Sequence, residues 1–193
     1  YRLHQMSLFY HRKFDIERGF AKYKLKKGFP SSHEFAIQSI NSGSRVLDIG
    51  CGNSLVAGEL KKKGCYIEAI DYEEPLGKQV LDRFTKMNIN DPDAEISVSE
   101  FDNILLLDIL EHVEDPERFT LKLRTNAKGK TPKFIVSVPN IAFFTVRIQL
   151  LLGNFNYGIR GILDLGHRRM FTFGSIRQLF LQAGYQILTI KGV

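Results

Sequence analysis

Three groups of residues have the types and spacing to do chemistry: the loop Asp48-Ile49-Gly50-Cys51-Gly52, the single carboxylate Asp71, and the cluster Asp108, Glu111 and His112 with the distant His167. Gly50 and Gly52 allow a backbone to approach a ligand without side-chain clash. A dinucleotide fingerprint would need another glycine at position 55, where Leu55 stands, and Asp48 would repel a pyrophosphate. Both facts count against a dinucleotide such as NAD. S-adenosylmethionine carries an ammonium and a sulfonium at its amino-acid end and no phosphate, so the sign of Asp48 suits it. Asp71 falls 19 positions after Gly52, at the end of a predicted second strand, where a carboxylate can accept hydrogen bonds from both ribose hydroxyls.

Methyl transfer from a sulfonium is an in-line displacement on an activated electrophile, so the protein supplies positioning and, for a hydroxyl acceptor, a proton sink. Asp108, Glu111 and His112 fall at i, i+3 and i+4 and share a face if a helical turn follows the strand before them. His167, from a later insertion, can close over the same mouth. Two chemical readings follow: base catalysis by His112 or His167, or a divalent metal on Asp108, Glu111, His112 and His167 that acidifies the acceptor hydroxyl. The structural alternative is that Glu111 and His112 orient the next helix, Asp108 serves the cofactor, and no metal binds.

These residues need a scaffold that brings strand ends together. The runs 45–49 (RVLDI) and 66–70 (YIEAI) flank a stretch of helical spacing, 54–63, closed by Gly64, which makes a βαβ unit. Further apolar runs at 103–107 and 134–138 flank the charged helical stretch 116–125, and a helix over 173–183 precedes a predicted strand at 187–190. Nearly continuous apolar strands alternating with amphipathic helices predict an α/β, doubly wound, mostly parallel Rossmann-like sheet covered on both faces. Residues 1–40 read as a helical lead-in or cap, and 41–193 as the ligand-binding domain. Within it, 153–170 carries Gly153, Gly158, Gly161 and Gly166 and reads as a substrate loop. Its Arg160, Arg168 and Arg169 suit either an anionic group on the acceptor or solvent.

The strings VLDIGCG, AID, FDNILLLDILEHVEDPERF, IVSVPN and HRRMFTFGSIRQLFLQAGY resemble the successive motifs of class I S-adenosylmethionine-dependent methyltransferases. Within that family they are similar to bacterial O-methyltransferases of cell-surface sugar pathways and of the ubiquinone pathway. The resemblance implies that Gly50, Cys51 and Gly52 meet the methionyl and ribose parts of the cofactor, Asp71 the ribose, and the backbone near Asp108 the methionyl amine. Two positions depart from the pattern. Ser54 replaces a third glycine, and Asn88, with Asp91 three residues on, stands where relatives often bind the adenine amine through Asp. Asn retains an acceptor oxygen. The cluster of Asp108, Glu111, His112 and His167 also resembles the E-x-x-E-H plus distal His arrangement of small-RNA ribose 2′-O-methyltransferases, with Asp108 in the first Glu position.

The resemblance implies transfer to a small or lipid-linked hydroxyl acceptor such as a sugar. Metal-assisted methylation of RNA ribose and a non-catalytic binding subunit of the same fold are the competing readings. Lys and Arg outnumber Asp and Glu by 27 to 21, a mild excess compatible with anionic small molecules, nucleic acid or a membrane surface. The absence of a dense basic stripe with interleaved aromatics counts against nucleic acid. Cys51 and Cys65 are expected at opposite ends of one helix, too far apart for a disulfide, which fits a reducing cytoplasmic setting. The longest apolar region, 134–153, is broken by Pro139, Asn140, Arg147 and Gln149, so no membrane span is expected. Its part 143–152 suits core packing, the commoner case, or a lipid-accepting groove, and leaves peripheral membrane contact open. His4, His11 and His33 read as surface or packing residues, and Lys61 to Lys63 as a solvated helix end. A first residue Tyr1 and an end within a predicted strand suggest a segment of a longer protein. The sequence sets no oligomeric state.

Overall fold

The computed structural model describes Leu25 and residues 28–193; most of the lead-in, with His4 and His11, lies outside that range. Five strands form one parallel sheet: β1 (Arg45–Ile49), β2 (Tyr66–Asp71), β3 (Arg83–Lys86), β4 (Asn103–Leu107) and β5 (Lys133–Ser137), in the order β3-β2-β1-β4-β5. The order reverses between β1 and β4, so the loops leaving those two strands open a crevice at the carboxyl edge, where doubly wound sheets hold ligands. Both loops come from the residues singled out above: Gly50 to Gly52 after β1, and Asp108 to His112 after β4.

The apolar runs of β1 and β4 are buried on both faces because helices cover both sides. On one side Ala36, Ile37 and Ile40 of α1 (Ser32–Ser39) and its C-cap join Val56, Ala57 and Leu60 of α2 (Leu55–Lys62) over Val46, Ile67, Leu105 and Ile135. On the other, Phe119 and Leu123 of α3 (Pro116–Asn126) and Leu179 and Phe180 of α5 (Phe173–Gln182) pack on Leu47, Ile49, Ile104 and Leu106. The described end of the lead-in thus packs on the sheet through α1. Local chemistry marks the helix starts: the Asp115 carboxylate accepts from the Arg118 amide ahead of Pro116, and Thr172 and Ser175 form a capping box for α5.

Three expectations change. β3 (RFTK) carries too short an alternation to stand out, and as an edge strand it is only half buried. The predicted strand at 187–190 does not form: Ile187 packs on the core, but Leu188 and Ile190 are exposed, and no ladder pairs the segment with β5 among the described residues. An extended run without a partner has no hydrogen bonds to make it a strand. The run 143–152 is largely α4 (Phe144–Leu151), yet it does not join the core, since only Val146 of this helix is buried.

Lys61 and Lys63 are also less idle than a solvated helix end. Lys61 pairs with Asp82 at 2.9 Å, and Lys63 donates to the carbonyls of Ile37 and Ile40, tying α2 to the end of α1. Ser54 precedes α2 at φ 56°, a left-handed conformation, and its side chain caps nothing. This is where the resemblance expects a third glycine. Ser54→Gly is therefore expected to stabilise the fold by about 1 kcal/mol, visible in thermal melts as a rise of roughly 2–4 °C.

Candidate active site at the carboxyl ends of the strands

The loop after β1 turns on two glycines with different tasks. Gly50 has φ 76°, and a Cβ there would lie 2.5 Å from the side chain of Ile109 in the loop after β4. Its glycine lets the two crevice loops pack together. Gly52, at φ 50°, has nothing within 4 Å of the position a Cβ would take, so it presents bare backbone to open space in the groove. Gly50→Ala is expected to cost about 2–4 kcal/mol in chemical denaturation, from the clash and the left-handed φ together.

Asp71, at the end of β2, comes to this loop as its spacing predicts. The Gly52 amide donates to Asp71 Oδ2 at 2.9 Å, and the Glu73 amide donates to Oδ1 at 3.2 Å. The carboxylate is thereby fixed at the rim of the groove. Asp48 lies beneath it, 3% exposed. Burial, and then the charge of Asp71, push the Asp48 carboxyl up to about 7. A cationic ligand end beside it would favour the ionised form, so the residues present fit the amino-acid end of S-adenosylmethionine. Cys51 is pushed up too: burial and Asp48 raise its thiol to about 12, leaving a neutral wall and no nucleophile. Cys51 and Cys65 are both free thiols.

Asn88 follows β3 and lines the same groove. Its Oδ1 accepts from the Asn90 amide at 3.0 Å, closing a turn, and the oxygen's other lone pair and the amide NH₂ stay available in chemical principle. Asn90, which the sequence did not single out, is the brace of this corner. Its side chain accepts from the Glu114 amide at 2.9 Å and donates to the His112 carbonyl.

Beyond β4 the backbone bends sharply at Asp108, φ 52°. Ser137 of β5 holds it there, accepting from the Asp108 amide through its carbonyl and hydroxyl and donating its hydroxyl to Asp108 Oδ1 at 2.6 Å. A 3₁₀ turn, Leu110–His112, follows. It brings Glu111 and His112 against His167, one donor atom from each lying within 4.8 Å of the others. Asp108 is not among them; its carboxylate is held by the Ser137 hydroxyl.

The two imidazoles are oriented by backbone. His112 Nδ1 is 2.9 Å from the Gly166 carbonyl, and His167 Nδ1 is 2.9 Å from the Ile162 carbonyl. A carbonyl only accepts, so each Nδ1 is the donor, and Nε2 is the nitrogen left to accept a proton or bind a cation. His167 Nε2 faces Glu111 Oε1 at 3.9 Å, and the rings meet edge to face with centroids 5.0 Å apart. Gly166 permits this, since a Cβ there would press on the His112 ring at 3.3 Å. Glu111 is 1% exposed, and neither carboxylate oxygen has a hydrogen-bond partner among the described residues. Burial, with Asp108 and Asp164 adding like charge, pushes its carboxyl up to about 8.

The insertion 153–170 is clamped over this cluster. The amides of Arg168 and Arg169 both donate to the Glu111 carbonyl, while their guanidinium groups pair with Glu114 and Glu117. Those two arginines fasten the loop around the start of α3. Arg160 is exposed and lines the groove, as does His33 of α1.

Comparison with known proteins agrees with this geometry. A family model described as a methyltransferase domain matches residues 20–190. The chain is 34% identical over 84 residues to a ubiquinone biosynthesis O-methyltransferase of Coxiella burnetii, covering 39% of this chain and 36% of that protein. It is 32% identical over 104 residues to the protein of the same name in Aeromonas salmonicida, covering 50% and 44%. The chain thus spans less than half the length of these curated relatives. Among solved structures, a methyltransferase from Thermotoga maritima described as a possible histamine N-methyltransferase shares the fold with TM-score 0.59 and 18% identity, covering 81% of this chain and 70% of that one. A methyltransferase from Mesorhizobium loti does so with TM-score 0.59 and 16% identity, covering 82% and 83%. By the match across most of its length, and by a crevice whose charges suit a sulfonium cofactor, this chain belongs to the class I S-adenosylmethionine-dependent methyltransferase family.

Proposed function

We propose that this protein methylates a hydroxyl oxygen of a small or lipid-linked acceptor, such as a sugar, with S-adenosylmethionine as donor. The observation that carries the reading is the pair of imidazoles whose Nδ1 protons are committed to backbone carbonyls, beside a groove shared with the cofactor loop. When bound, the cofactor supplies an electrophilic methyl group on a sulfonium. Asp48 and Asp71 hold its charged and ribose parts, and Gly52 lets the backbone approach. Nε2 of His112 or His167 accepts the proton that the acceptor hydroxyl sheds as the new C–O bond forms, and Arg168 and Arg169 keep the covering loop in place. The relatives named as ubiquinone biosynthesis O-methyltransferases support oxygen as the receiving atom.

One observation favours a second account of the proton. A buried carboxyl with no hydrogen-bond partner among the described residues, Glu111, sits with two imidazoles at ligand spacing, and a divalent cation there would displace its proton, pair with the carboxylate and acidify the hydroxyl. The donor set of one carboxylate and two imidazoles fits such an ion. Transfer of labelled methyl to polyprenylated phenols and glycosides, before and after chelation, tests both accounts. Turnover that survives chelation supports the base, whereas turnover that disappears and returns with added Zn²⁺, Mn²⁺ or Mg²⁺ supports the metal. No methylation of any hydroxyl compound, alongside methylation of amines or thiols, would overturn the proposal.

A further inference from the structure

Acidic residues are distributed very unevenly along this chain. Residues 118–193 contain twelve Lys and Arg and a single acid, Asp164, whereas residues 1–117 hold the other twenty acids against fifteen cations. The basic part carries α4 and the insertion after it, and no acidic residue occurs from 140 to 163. Within that span lies an apolar surface of unusual extent. Phe144, Ile148 and Leu151 are 61%, 52% and 86% exposed and fall on one stripe of α4, and Leu152 and Phe155 continue it past the helix end. Arg147 stands exposed between Phe144 and Ile148.

A helix whose broad apolar stripe is left outside the core marks a contact surface. The chemistry of this one is that of an interfacial helix: aromatic and leucine side chains to enter an acyl boundary, arginine beside them for anionic headgroups, and no carboxylate to be repelled. Its position adds direction. Phe143, immediately before α4, and Ile159 and Arg160, after it, line the groove that holds the catalytic cluster, so a surface seated on α4 would lie at the mouth of that groove.

We propose that α4 and the start of the insertion dock this protein on an anionic lipid surface. Docking is reversible and peripheral, since no helix among the described residues is long and apolar enough to cross a membrane. It stands apart from the identity of the acceptor and from the proton's route.

The test is co-sedimentation of the full chain with vesicles of phosphatidylglycerol and, separately, of phosphatidylcholine. Binding is expected to phosphatidylglycerol, weaker in high salt and much weaker to phosphatidylcholine. Combined Phe144→Ser, Ile148→Ser and Leu151→Ser should lower vesicle affinity at least about tenfold, and Arg147→Glu should lower it for phosphatidylglycerol alone. Unchanged circular dichroism and S-adenosylmethionine affinity would show that the variants fold. The proposal is overturned by absence of sedimentation with either vesicle, by equal binding to both, or by binding that the triple variant leaves intact. A chain that is dimeric in sedimentation velocity and turned monomeric by the triple variant would also overturn it, as would retention by single-stranded RNA without vesicle binding.

Discussion

Replacing His112 or His167 by alanine is expected to slow methyl transfer to a hydroxyl acceptor by about 10²–10⁴-fold, the usual worth of a positioned acid–base group, while the affinity for S-adenosylmethionine stays within about twofold. Neither imidazole belongs to the loop of Asp48, Gly52 and Asp71, so the loss should appear in kcat. The two substitutions need not be equal. His112 is carried by the 3₁₀ turn after β4 and braced by Asn90, whereas His167 is carried by the insertion and faces Glu111. If one imidazole is the base and the other positions it, the pH profile of kcat will lose its acidic limb in one variant and merely shift in the other. If both are ligands of a cation, both variants and Glu111→Gln will lose the response to added metal. Full activity in both alanine variants would remove the cluster from the mechanism.

The second large effect concerns Asp48. Its carboxyl is raised to about 7 by burial and by Asp71, so near neutral pH a substantial fraction is protonated. A ligand bearing ammonium and sulfonium charges favours the ionised form, so binding expels a proton. Affinity for S-adenosylmethionine should therefore climb as pH rises toward 7, by up to tenfold per unit, and level off above it. Asp48→Asn should flatten this profile and weaken binding at pH 8 by about 10–100-fold, one to two pKa units' worth of interaction. S-adenosylhomocysteine, which lacks the sulfonium charge, should show the shallower profile of the two.

The same shift acts on stability with the opposite sign. A carboxyl whose folded value lies above its unfolded value makes the folded chain bind more protons between the two. Stability conferred by the neutral form is thus complete at low pH and declines as pH rises from about 4 through about 7. Ligand-free protein should lose stability over that interval, by up to about 1.4 kcal/mol per pH unit from this group. Saturation with cofactor should reduce the slope.

Much of the site was legible because it depends on local sequence. The left-handed turn after β1 uses glycines, Asp71 closes β2, and both reach the crevice through strands whose apolar runs mark them. What escaped the sequence depended on tertiary neighbours. Gly50 answers to Ile109, fifty-nine residues away in the chain, and no local pattern distinguishes its role from that of Gly52. Asp108 has the spacing of a ligand, yet a left-handed bend and the Ser137 hydroxyl hold it outside the ligand-spaced group of Glu111, His112 and His167. Arg168 and Arg169 suited either an anionic group or solvent by sequence, and only the fold shows them paired with Glu114, just before α3, and Glu117 in its first turn. The apolar run of α4 reads as core by composition alone, and only the packed sheet shows that the core is already filled without it.

The most direct test of the central claim is calorimetric titration of the full chain with S-adenosylmethionine at pH 8, repeated at pH 6 and in buffers of different ionisation enthalpy. The account predicts saturable one-site binding that tightens with pH, releases a proton near pH 6, and is lost or flattened in Asp48→Asn. Absence of binding at millimolar cofactor, or binding indifferent to pH and to Asp48, would contradict it.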